Sequence, residues 1–131
     1  MMTEIKVRGY HADFYGHVNN ARYLEFFEED RWAQIEARGD LAKLTARGLI
    51  FMVVNINVNY RKAIGVGETL QVSTDLEKVG TRSVVLKQVI RVKGTGDVAA
   101  DALVTFVLGD RSGKAVTITG EILEQLNTLS Q

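Results

Sequence analysis

Tyr10-His11-Ala12-Asp13-Phe14-Tyr15-Gly16-His17-Val18-Asn19-Asn20-Ala21-Arg22-Tyr23 carries the chain from a loop into its most aromatic helical pattern, Tyr23-Leu24-Glu25-Phe26-Phe27. The stretch gathers an acid, both histidines of the chain, a glycine turn and two asparagines. Asn19 or Asn20 can cap the exposed amides of a first helical turn. The helix so started reads on to Ala37-Arg38, with Gly39 as its stop. Leu24, Phe27, Arg31 and Ile35 share one face, widened by Tyr23 and Phe26, while Arg22, Glu25, Glu29 and Glu36 lie opposite. So much aromatic bulk predicts a largely buried helix.

Upstream, Ile5-Lys6-Val7-Arg8 alternates apolar and charged residues, as a short edge strand does. Downstream, Asp40 can cap a second short helix, Leu41 to Arg47, ended by Gly48. The period then changes from 3.6 to 2, and Val54-Asn55-Ile56-Asn57-Val58-Asn59-Tyr60 alternates without a break. Gly65 and Gly67 mark a turn, and Leu70, Val72, Thr74 and Leu76 line one face of the next strand, which Gly80 closes. Ser83 to Val92 and Val98 to Leu108 read as two more strands, separated by Gly94-Thr95-Gly96-Asp97 and followed by the turn Asp110-Arg111-Ser112-Gly113. Ile118 suggests a short final strand. Glu121 to Leu129 has helical spacing at Ile122, Leu123, Leu126 and Leu129. Strand, long helix, then hairpin-connected strands make an α+β layout, one helix packed on an antiparallel sheet. A single long aromatic helix wrapped by a meander is what a hot-dog fold looks like. The sheet's open edge favours pairing with a second copy, as a homodimer or homotetramer.

At 131 residues the chain fits one domain, residues 1–131, large enough to bury a working core. Sixteen basic residues offset sixteen acidic ones, so no global field favours nucleic acid or an anionic membrane. No cysteine is present, which removes disulfides, thiolate metal sites and a cysteine nucleophile. The N-terminus has no long apolar run, and no stretch approaches the ~20 apolar residues of a membrane helix. The chain reads as cytoplasmic. Without proline, its turns rest on Gly, Asn and Asp.

Asp13 is the only acid in the loop before the helix. A carboxylate there can act as general base or nucleophile, or simply as a solvated turn residue. Gly16 lets the backbone turn sharply, and the amides of Val18, Asn19, Asn20 and Ala21 carry the positive end of the helix. Such a terminus can stabilise a developing oxyanion, although every helix start offers amides. His11 and His17 lack the spacing and the third ligand of a metal site, and His17 reads as a residue that orients the loop. Tyr23, Phe26 and Phe27 are core residues or the wall of an acyl tunnel. Asn55, Asn57 and Asn59 form a wet strand face or a polar seam across an interface. Arg61-Lys62 is a solvated strand end, or a phosphate holder at a groove. No P-loop, dinucleotide fingerprint or Ser/His/Asp order appears, and no cofactor is expected.

Asp13-Phe14-Tyr15-Gly16-His17-Val18-Asn19-Asn20-Ala21-Arg22-Tyr23 resembles the Asp-x-x-Gly-His-Val-x-Asn-x-x-Tyr start of hot-dog thioesterases of the 4-hydroxybenzoyl-CoA thioesterase type. Val7-Arg8-Gly9-Tyr10-His11, Val53-Val54-Asn55-Ile56-Asn57 and Ala100-Asp101-Ala102-Leu103-Val104-Thr105-Phe106 extend the likeness along the chain, toward the bacterial long-chain acyl-CoA thioesterase III subgroup. The resemblance implies an enzyme that hydrolyses long-chain fatty acyl-CoA to free acid and CoA. It gives Asp13 the place of the catalytic carboxylate and the Asn20 amide that of the oxyanion donor. Gly16, His17, Tyr23 and Phe27 then contact substrate, and Arg61 the CoA phosphates. Two positions depart from the pattern. His11 stands where many relatives carry an acid, and Tyr60-Arg61-Lys62-Ala63 lacks the usual proline. The alternatives are a thioesterase for shorter or aromatic acyl-CoA, a hot-dog hydratase or dehydratase using His17 with Glu28, and a non-catalytic acyl-thioester binder.

Overall fold

Asn20–Arg38 forms the long helix α1 in the computed structural model, which describes residues 2–38 and 40–127. The Asn19 side-chain oxygen accepts the Ala21 amide at 3.0 Å, so Asn19 is the cap. The expected stop Gly39 lies outside the described residues, as do the capping side chain of Asp40 and Leu129. The other elements are β1 (Thr3–Lys6), a 3-10 turn (Gly9–His11), α2 (Asp40–Ala46), β2 (Leu49–Tyr60), β3 (Thr69–Val79), β4 (Ser83–Val92), β5 (Val98–Asp110) and α3 (Gly120–Asn127).

The strands form one antiparallel sheet in the order β1-β3-β4-β5-β2. This corrects the simple meander. Only β3, β4 and β5 follow one another as neighbours, while β2 crosses to the far edge and pairs with β5 from Leu49↔Asp110 to Tyr60↔Ala100. Alternation in β2 reports two faces but cannot name a neighbour. β2 also begins at Leu49 rather than Val54, since Leu49 to Val53 pair without alternating in sequence. β1 ends before Val7, which instead bonds across to the Glu68 carbonyl and the Gly67 amide, both at 2.9 Å. Ile118 belongs to no strand; its amide donates to the Thr81 carbonyl at 2.7 Å and its side chain is buried. Bulges between Val53 and Asn55, Leu76 and Lys78, and Ile90 and Arg91 bend the sheet around the helix.

The helix face differs from the sequence reading. Leu24 is 38% exposed, and the buried stripe is Tyr23, Phe26, Phe27, Asp30, Arg31 and Gln34. That stripe divides the interior. Tyr23, Phe26 and Phe27 pack with Leu70, Val72, Ile90 and Val92 and with the alanines of β5, whose small side chains leave room for the rings. Leu44, Val84, Leu86, Leu108, Ile118 and Ile122 form a second cluster beneath α2 and α3. A polar belt lies between them. Asp30 accepts the hydroxyls of Thr3 (2.7 Å) and Thr74, and Gln88 donates to Thr74 (2.7 Å) and to the Phe27 carbonyl (2.9 Å). Arg31 donates to the Gln88 side-chain oxygen at 2.9 Å. Thr74 and Gln88 face one another across β3 and β4, so a single register step separates the two apolar layers.

Candidate active site

The loop before α1 is folded tightly on itself. The Asp13 amide donates to the His17 carbonyl at 2.8 Å, and the Gly16 amide returns to the Asp13 carbonyl at 3.1 Å. Gly16 has φ +79°, a left-handed conformation that glycine adopts without a Cβ penalty. Asp13 is half-buried, and its Oδ1 accepts the Tyr15 amide at 2.9 Å. One carboxylate oxygen is therefore fixed, and among the described residues the other has no hydrogen bond.

Of the four helix-start amides, three are already used. Val18 donates to the Ile64 carbonyl (2.9 Å), Asn19 to the His11 carbonyl (2.8 Å) and Ala21 to the Asn19 side chain (3.0 Å). Among the described residues, nothing accepts from the Asn20 amide, and Asn20 is exposed. Its carbonyl accepts the Tyr60 hydroxyl at 3.0 Å, which ties the helix start to the end of β2. Sequence reading missed this bond because its partners stand forty residues apart.

Tyr23 is buried against Tyr60, ring centroids 5.1 Å apart, with its hydroxyl 3.5 Å from the Lys62 carbonyl. Burial pushes its phenol up, with the charges of Tyr60, Glu68 and Asp13 adding to the effect. Phe27 is sealed in the core. His11 is buried between Tyr10 (4.3 Å) and Phe26 (5.1 Å), and its Nδ1 accepts the Arg8 amide at 2.8 Å. Burial holds its imidazole below the usual range, and the Arg22 charge adds to this. His11 thus supports the helix start through its carbonyl. His17 is exposed, joined to Gly65 by a backbone bridge, and its side chain makes no hydrogen bond among the described residues. Arg61, one residue past Tyr60, is paired with Asp101, which also accepts from Asn59 at 3.1 Å. Lys62 pairs with Asp97 at 2.7 Å. Among the described residues no three His, Cys, Asp or Glu side chains form a group that could hold a metal ion.

Next to the second apolar cluster lies a cavity of about 390 Å³, within the size range of small-molecule pockets. Val84, Leu86, Phe106 and Ile122 line it, with Arg31 and Thr74 from the polar belt. Trp32, Ile50 and Val53, all exposed, form its rim beside the free edge of β2. Neither Tyr23 nor Phe27 lines it. The Asp13–Asn20 end and the cavity therefore lie at opposite ends of β2. From Val53 to Tyr60 the strand spans roughly 23 Å at ~3.3 Å per residue.

The loop that leads into α1 thus offers a carboxylate and an open helix-start amide, groups that acyl transfer can use. The chain belongs to the thioesterase-like superfamily, whose family model matches residues 7–126. It is 46% identical over 130 residues to the long-chain acyl-CoA thioesterase FadM of Escherichia coli, covering 98% of each chain. The crystal structure of YbaW, a probable thioesterase from Escherichia coli, superposes with a TM-score of 0.93 at 45% identity, covering 100% of this chain and 99% of that one. A Synechocystis 1,4-dihydroxy-2-naphthoyl-CoA thioesterase shares the fold at TM-score 0.85 with 14% identity, over 97% and 94% of the two chains.

Proposed function

We propose that the protein hydrolyses long-chain fatty acyl-CoA to the free acid and CoA, in the cytoplasm, as a homodimer or a higher homo-oligomer. The single observation that carries the chemistry is the half-buried Asp13 in a loop whose far end is the unsatisfied Asn20 amide. Asp13 activates water, or attacks the thioester carbonyl itself to give an anhydride that water opens. In either route the carbonyl oxygen gains charge and the Asn20 N–H receives it, at the positive end of α1. One such donor is worth about 2.7–4 kcal/mol of barrier. The full-length similarity to an enzyme named for long-chain substrates supports the substrate class.

The acyl chain needs a slot, and the cavity beside Val84, Leu86, Phe106 and Ile122 lies away from the Asp13 end of the same subunit. β2 is a free edge of twelve residues with Ile50, Val53, Val54 and Tyr60 exposed. Two such edges paired antiparallel across a two-fold axis would bring the cavity end of one β2 beside the Tyr60 end of the other. Asp13 and Asn20 of one copy would then serve a chain seated in its partner's cavity. Phe14, 96% exposed next to Asp13, supports the same arrangement, because so large an apolar side chain gains by being covered. Gly16 and His17 border the thioester, Tyr23 backs it through Tyr60, and Arg61 turns toward the CoA phosphates.

Thiol release across an acyl-CoA chain-length series tests the assignment. Long chains should be preferred, and Asp13→Asn, folded like the parent, should lose turnover by roughly 10²–10⁴-fold. Near-normal hydrolysis by Asp13→Asn would contradict it, and binding without thiol release would identify a non-catalytic acyl-thioester protein. The hydratase reading has weaker support: Glu28 lines the cavity while His17 belongs to the loop, and no hydrogen bond among the described residues joins them.

A further inference from the structure

Among the described residues Arg31 is the one cation on the cavity wall, only 8% exposed and anchored by a single hydrogen bond to neutral Gln88. Its guanidinium sits 5.5 Å from the Phe106 ring centroid. Glu28, also on the cavity wall, forms a long ion pair with the guanidinium at 3.9 Å, beyond hydrogen-bonding range and with most of the carboxylate side chain in solvent. A guanidinium carries five N–H donors in a fork that matches a carboxylate. Here most of them have no hydrogen-bond acceptor among the described residues, although the guanidinium is buried at the edge of the polar belt that holds Gln88, Thr74 and Asp30. A buried cation so sparsely paired is costly unless an anion completes it. Gln88 alone could have docked α1 on the sheet, through its bonds to Phe27 and Thr74.

We propose that this cavity binds an alkyl carboxylate, its carboxylate on Arg31 and its chain against Leu86, Phe106 and Ile122. A fatty acyl tail fills the apolar wall of the cavity; a carboxylate at the end of the chain adds an acceptor for the guanidinium. Two sources supply that chemistry: the free fatty acid, and an acyl-CoA whose chain ends in a second carboxylate. The inference rests on the thioesterase reading only for the ligand's source, because binding is measured without turnover.

The test is titration of the full-length protein with decanoate and with 1-decanol, in the wild type, Arg31→Met and Arg31→Lys. The wild type should bind decanoate about tenfold or more tighter than decanol, the scale of a charge-assisted hydrogen bond. Arg31→Met should lose that preference, and Arg31→Lys should keep part of it. Equal affinity of the wild type for acid and alcohol would overturn the proposal without any variant having to fold, and an unchanged preference in Arg31→Met would overturn it too. Turnover of decanedioyl-CoA against decanoyl-CoA separates the sources. A preference for the diacid thioester that disappears in Arg31→Met assigns the carboxylate to the substrate. Equal turnover of the two, with decanoate still preferred over decanol, assigns it to the free acid. If the enzyme hydrolyses neither thioester while decanoate binding still depends on Arg31, the thioesterase reading fails and the ligand site stands.

Discussion

Asp13 and the Asn20 amide are set by short-range chemistry, and so they are legible in sequence. An acid, a glycine able to take positive φ and a capping asparagine, all within eight positions, can fold in few ways. The residues alone left four helix-start amides equivalent and only the family resemblance pointed to Asn20, because Ile64 and His11 take two of the others through the tertiary fold. His11 was equally opaque. Its type suggests chemistry, yet its place is structural, a neutral imidazole accepting the Arg8 amide under Tyr10 and Phe26. This has a pH consequence. Its folded pKa lies below the ordinary 6.5, so its contribution to stability is present above that pH and is lost as pH falls through the lowered value. Denaturant melts should therefore show the wild type losing more stability than His11→Asn between pH 7.5 and 5. Parallel losses would show that His11 does not titrate in this way.

At the scale of elements, α1 and the sheet meet through two apolar layers with a polar belt between them. Arg31 was visible on the helix's inner face, whereas the strand reading of Ser83 to Val92 did not single out Gln88, which lies inward with Val84, Leu86, Ile90 and Val92. Their pairing was not visible, since it depends on which strands lie under which turn of α1. The belt makes a stability prediction. Gln88→Leu fits the apolar layers by shape, but it strands the Arg31 guanidinium and removes one hydrogen bond each from the Phe27 carbonyl and from Thr74, whose hydroxyl keeps Asp30. Leaving buried polar groups unmet costs about 1–3 kcal/mol each. Chemical denaturation should show Gln88→Leu destabilised by at least about 2 kcal/mol. A neutral or stabilising result would mean that the belt contributes little to docking the helix.

For the whole molecule, alternation revealed β2 as a strand but not as an edge, and that difference carries the oligomer and the site together. The exposed apolar residues of β2 and the rim of the cavity share Ile50 and Val53. A charge placed on that edge should act on both. Val54→Lys, lying on β2 but not on the cavity wall, should shift the protein toward monomer in sedimentation and lower turnover in parallel. A fully active monomer would contradict a shared site.

Mixed oligomers test that shared site most directly. Asp13→Asn removes the acid, and Leu126→Trp is chosen to fill the cavity, which Leu126 lines. Each variant alone should release little thiol from long-chain acyl-CoA. Co-refolded together, they should recover turnover well above either parent, because a hybrid pair joins an intact Asp13 to an intact cavity across the β2 edge. If hybrids form and activity stays at the level of the parents, acid and cavity work within one subunit and the account of a site shared across the two-fold is wrong.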